Sequence, residues 1–91
     1  MNYFVVMRDF KQLGREAVVN PEHTRRDIID LIASGEWSDV LWVHEIDDGI
    51  CRDVTQDIAT EIYRSSDGPF SYGVLEFLQR NDVAPIGLAA E

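Results

Sequence analysis

Cysteine, lysine, phosphate-loop glycines and long apolar runs are all scarce in this chain, and each scarcity removes a class of function. Cys51 is the only cysteine in 91 residues, so an internal disulfide is excluded and a reducing cytoplasm is the expected compartment. Lys11 is the only lysine, which argues against lysine-dependent nuclease or phosphoryl-transfer chemistry. The six glycines are scattered at 14, 35, 49, 68, 73 and 87, without the spacing and following lysine of a phosphate-cradling loop. No apolar run approaches the roughly 20 residues needed to cross a bilayer. The opening residues 1–8 show no basic leader and no small-residue cleavage site, so no signal peptide is expected.

What is present is enough for one folded domain. Apolar residues make up 45% of the chain and charged residues 27%, too apolar a composition for a disordered tail. A domain of this size buries only about 60–65% of the surface its unfolded chain exposes, so most of its apolar side chains are needed for the core. The net charge is −9, and it is unevenly placed. Residues 1–35 balance Arg8, Lys11, Arg15, Arg25 and Arg26 against five acids. From residue 36 onward twelve acids face only Arg52, Arg64 and Arg80. A field of one sign repels nucleic-acid phosphates and attracts basic surfaces. Solubility alone is the plainer reading of such a field.

The pattern predicts an α+β fold: an antiparallel sheet of about four strands with two or three helices, in the order β-β-α-β-β-α-α. Residues 3–10 read as a strand apolar on both faces, which suggests an interior position, and 16–19 as its hairpin partner. A helix follows, capped by Asn20 or by Thr24, with Ile28, Ile29, Leu31 and Ile32 as its apolar stripe. Residues 40–46 form the clearest strand. Strict alternation sets Val40, Trp42, His44 and Ile46 on one face and Leu41, Val43 and Glu45 on the other, with Trp42 read as core. Asp48-Gly49 is a hairpin turn returning through 50–54. Asp53 or Thr55 then caps a second helix, with Asp53 and Gln56 at capping-box spacing. A break at 65–69 precedes a third helix begun by Ser71 and closed by Asn81, with Phe70 placed to pack on Leu75. The whole of 1–91 is expected to be one domain, with 82–91 a loose tail or a short edge strand.

Chemistry-bearing motifs are few. His44 and Cys51 fall on adjacent strands across the Asp48-Gly49 turn, and with the acids nearby they define one alternative: a small enzyme or metal-binding domain. No known cysteine-nucleophile signature surrounds Cys51, and packing accounts for the pair as well. The acids at 47, 48, 53 and 57 lack calcium-loop spacing, and His23 and His44 lack the helical His-x-x-x-His arrangement. Neither a metal nor a cofactor is expected, and no catalytic residue is assigned. Tryptophan is enriched at binding hot spots, and Trp37 lies beside the acidic stretch. The candidate partner-binding residues are therefore Glu36, Trp37, Asp39, Glu45, Asp47, Asp48, Asp53, Asp57 and Glu61.

In format, and in the stretches Glu36-Trp37-Ser38-Asp39 through Asp57-Ile58-Ala59-Thr60-Glu61, the chain resembles small acidic proteins of phages and mobile elements. Anti-CRISPR inhibitors are among them. The resemblance implies a cytoplasmic protein that binds and blocks a nucleic-acid enzyme, and it carries over no binding residue. Residues 3–33 are also similar to small β-β-α antitoxins, without the Pro-Asp-Leu-Pro-Gly and Gly-Asp-Thr stretches of that pattern. The leading expectation is a non-enzymatic protein-binding module using an acidic surface, an inhibitor or nucleic-acid mimic directed at a basic protein. Direct nucleic-acid and membrane binding are not expected. A homo-oligomeric structural subunit is the remaining alternative.

Overall fold

The computed structural model describes residues 2–65 and 70–83. They form β1 (Asn2–Asp9), a 3-10 turn (Lys11–Leu13), β2 (Arg15–Val19), α1 (Arg25–Ala33), β3 (Val40–Asp47), β4 (Ile50–Asp53), α2 (Thr55–Ser65) and α3 (Tyr72–Arg80). The strands make one antiparallel sheet in the order β2-β1-β3-β4, so the α+β expectation holds with its order of elements. The break expected at 65–69 lies outside the described residues except for Ser65, which ends α2. Of the expected tail, residues 84–91 lie outside them too.

Local chemistry sets the element ends. Thr24, not Asn20, caps α1. Its Oγ1 accepts from the Asp27 amide at 3.2 Å, and the Asp27 carboxylate accepts from the Thr24 amide at 2.9 Å, closing a capping box. Asn20 instead turns the chain, its Oδ1 accepting from the Glu22 amide at 3.0 Å. Between β3 and β4, Asp48 and Gly49 both hold positive φ (50° and 81°), the type I′ geometry that aspartate and glycine tolerate best. Ser71 stands at the start of α3, but its hydroxyl makes no capping bond. Asn81 closes the helix by donating to the Phe77 carbonyl at 2.8 Å. Gly73 lets the first turn of α3 approach the chain before β3, since a Cβ there would meet Ser38 Cβ at 3.0 Å.

All three helices pack on one face of the sheet. Phe4, Val6, Val40 and Val43 meet the buried faces of α1 (Ile28, Ile29, Ile32), α2 (Ile58, Ala59, Ile62) and α3 (Val74, Leu75, Phe77, Leu78) in a single core. Apart from Ala59, each such side chain contributes about 1.5–3 kcal/mol on burial. One departure from strict alternation makes this possible. The β1–β3 register shifts so that Met7 faces Trp42 while Arg8 faces Val40, leaving Leu41 as the extra residue of a bulge. Val40 and Val43 therefore share the core side, whereas the sequence pattern put Val40 with Trp42. Trp42 lies outside the core, contrary to expectation.

The β4–α2 junction depends on Thr55, the one polar side chain among the described residues that is buried. Val54 spends its amide on the Val43 carbonyl, the last rung of the sheet, and its carbonyl on the Ile58 amide, the first turn of α2 (both 3.0 Å). The Val43 amide is thereby left without a strand partner. Thr55 Oγ1 accepts from it at 2.8 Å, and the hydroxyl's one proton goes to Asp53 Oδ1. That same carboxylate oxygen accepts the Thr55 amide at 3.0 Å. Gln56 takes no part in a capping box; its side-chain amide donates to the Asn81 carbonyl. Replacing Thr55→Val keeps the volume and leaves a buried amide unpaired. By denaturant unfolding it is expected to cost about 1–3 kcal/mol, against about 1 kcal/mol or less for Thr55→Ser, which loses only a methyl group. Equal losses for the two variants would contradict the hydroxyl's role.

Candidate functional site

The second face of the sheet carries no helix among the described residues, yet it is not polar. Directly paired residues project to the same side, so the register aligns Ala17 and Val19 of β2 with Met7 and Val5 of β1, and these with Trp42 and His44 of β3. Tyr3 faces Ile46, which faces Cys51 of β4, and His44 faces Asp53. An antiparallel sheet with one covered face ordinarily alternates apolar-in with polar-out. Here the open side holds Tyr3, Val5, Met7, Val19, Trp42 and Ile46, with Tyr3 and Val19 exposed at 37% and 49%. The bland sequence signal for it was the unbroken apolar run of 3–7, which reads equally as an interior strand.

The nine residues singled out from sequence do not form one surface. Glu36, Trp37 and Asp39 sit in the connection before β3, about 23 Å along an eight-residue strand from the turn that holds Asp47 and Asp48. Trp37 is half-buried against the core, edge-on to His23 and beneath the Arg8 guanidinium. Glu45 lies on the helix side, where it accepts from Asn2 Nδ2 and Arg52 Nη2, each at 2.6 Å. Glu61 pairs with Arg25 at 3.6 Å, and Asp53 serves the α2 junction. Asp47, Asp48 and Asp57 keep free, exposed carboxylates around β4. Arg52, on β4, is held by Glu45. Asp47 projects to the helix side with Glu45 and Asp57 stands on α2, so of the three only Asp48, in the turn, lies at the β3–β4 end of the open face, while Lys11 and Arg15 stand at the far corner.

On the open face, His44 stacks on Trp42 with ring centres 4.0 Å apart. Its Nδ1 is 3.6 Å from Cys51 Sγ and its Nε2 is 3.8 Å from Asp53 Oδ2. Thiol and carboxylate address opposite nitrogens of one ring, so the three do not converge on a common point. Accordingly, no group of three or more His, Cys, Asp or Glu side chains among the described residues is placed to hold a metal ion. A depression of about 560 Å³ lies elsewhere, beside α1, lined by His23, Asp27, Asp30, Leu31, Ser34 and Glu36. It is open, and Asp27 is committed to the capping box. No described helix is long and apolar enough to cross a membrane.

No family model, curated protein or solved structure matches the chain.

Three carboxyls are held below their ordinary values. Hydrogen bonds from the Thr24 backbone and side chain lower Asp27, those from Arg52 and Asn2 lower Glu45, and those from the Thr55 hydroxyl and amide lower Asp53. A lowered folded-state value means the native protein binds fewer protons than the unfolded chain, so stability is present at neutral pH and lost on acidification. The urea midpoint is expected to begin falling as pH drops through 4.5 and 3.8, the ordinary glutamate and aspartate values. Asp53→Asn should flatten part of that fall. A midpoint constant with pH in this range would contradict the assignment.

Proposed function

We propose that the protein is a non-enzymatic protein-binding module that takes a basic partner on the open face of its sheet. The observation that carries this reading is the apolar open face, with Asp53 on it beside His44 and Asp48 in the turn at its β3–β4 end. An apolar centre within a polar rim is the anatomy of a protein interface. Trp42 supplies the large, ring-stacked anchor that such centres use. The net charge of −9 favours a partner that presents an apolar patch flanked by arginine or lysine, steered and oriented by charge complementarity. Self-association is disfavoured by the same net charge. A basic face of this kind is what nucleic-acid-binding proteins present, and covering it is the inhibitory form of the reading.

The test is capture of basic proteins from the source cell on immobilised protein, with affinities measured for whatever is retained. Trp42→Ala should weaken binding by about 2 kcal/mol, roughly thirtyfold in Kd. Asp47→Lys/Asp48→Lys should weaken it further and reduce its salt dependence. Binding indifferent to both changes would remove the reading. A dimer of the chain alone by light scattering, abolished by Trp42→Ala, would replace the basic partner with a second copy.

A further inference from the structure

We propose that Arg8 is the anion-holding residue of a second site, at the β1–β2 end of the sheet, which takes a carboxylate from a small organic acid or from an acidic peptide. The site lies on the helix side, since Arg8 faces the core residue Val40 across β1 and β3. It is independent of the open face.

The Arg8 side chain is half-buried, and its guanidinium carbon lies over two rings, 4.7 Å from the centre of Phe10 and 5.7 Å from that of Trp37. Trp37 is itself met edge-on by His23. Stacking of this kind holds the plane of an always-charged fork. The Nε is buried and has no acceptor. The two Nη nitrogens reach the surface, and no group among the described residues accepts from them. Glu16 is the direct partner of Arg8 across β1 and β2, on the same side of the sheet, and still forms no ion pair with it. A buried donor left unpaired costs stability that an apolar side chain of similar length would not. What arginine adds here is a preoriented pair of charged donors.

A second observation is where the uncommitted cations lie. The chain has 17 acids for 8 lysines and arginines, and Arg25, Arg26, Arg52 and Arg80 each hold a carboxylate. Lys11, in the turn after β1, and Arg15, at the start of β2, hold none among the described residues. Asp9, between them, spends its carboxylate on the Lys11 amide. With Arg8, three uncommitted cations therefore gather at one end of an acidic protein. A guanidinium fork matches the two oxygens of a carboxylate. One fork offsets one charge, and the net charge of −9 opposes a polyanion, so a carboxylate suits the site better than a phosphate backbone.

The test is NMR titration of the native protein with sodium benzoate at constant ionic strength, followed at the Trp37 indole N–H and, where present, the Arg8 Nε–H. Benzamide, the neutral isostere, is the control; an acetylated, amidated Glu-Leu-Glu peptide and inorganic phosphate are separate arms. Benzoate or the peptide is expected to give saturating shifts, the tighter of the two naming the source of the carboxylate, and benzamide none. Arg8→Lys, with folding checked by circular dichroism, should weaken binding about tenfold or more, because lysine keeps the charge and loses the fork. Glu16→Gln should strengthen it about two- to fivefold by removing a competing carboxylate. Shifts that do not saturate, that benzamide reproduces, or that survive Arg8→Lys unchanged overturn the proposal. Tighter binding of phosphate than of either carboxylate overturns the choice of anion.

Discussion

Every feature on the β4 side of the molecule depends on how one strand ends and one helix begins. Val54 gives its amide to the sheet and its carbonyl to the helix, and this leaves the Val43 amide to be satisfied inside the core. The Thr55 hydroxyl accepts that proton and passes its own to Asp53. The exchange lets α2 leave the sheet without a connecting loop and turn its Ile58 and Ile62 face onto Val43. It also fixes the Asp53 carboxylate beside His44. An apolar residue at 55 would fill the same space and satisfy none of these groups, so the junction is specified by polarity where the rest of the core is specified by volume.

Much of the fold was legible because local rules and tertiary packing agree. The Asp48-Gly49 turn, Thr24 as one of two candidate caps for α1, the four-residue recurrence of Ile58 and Ile62 and the order of elements all follow from short-range chemistry. The errors fall where a long-range contact intervenes. Strict alternation failed at Leu41 because the bulge answers to β1, a partner far away in sequence, and no composition signal marks it. Trp42 was placed in the core because a strand tryptophan usually is. Its actual position follows from which face the helices cover, and the strand itself does not encode that choice.

The candidate site was legible in outline only. Charge counts located the acidic stretch, but they could not separate carboxylates engaged by Arg52, Thr55 or Arg25 from those left free at Asp47, Asp48 and Asp57. Sequence proximity suggested that His44 and Cys51 are neighbours; the part it could not supply is Asp53 on the opposite nitrogen. The open apolar face was invisible as such, because residues 3–7 look alike whether one face or both are covered.

Whether this face is the proposed contact surface is read from methyl NMR with a neutral, soluble nitroxide, on the protein alone and in complex with its captured partner. The methyls of Val5, Val19 and Ile46 are expected to be broadened in the free protein, those of Val6, Val43 and Ile58 not, and the first group protected in the complex. Protection confined to the helical side, with Val5, Val19 and Ile46 still accessible to the nitroxide, would contradict it.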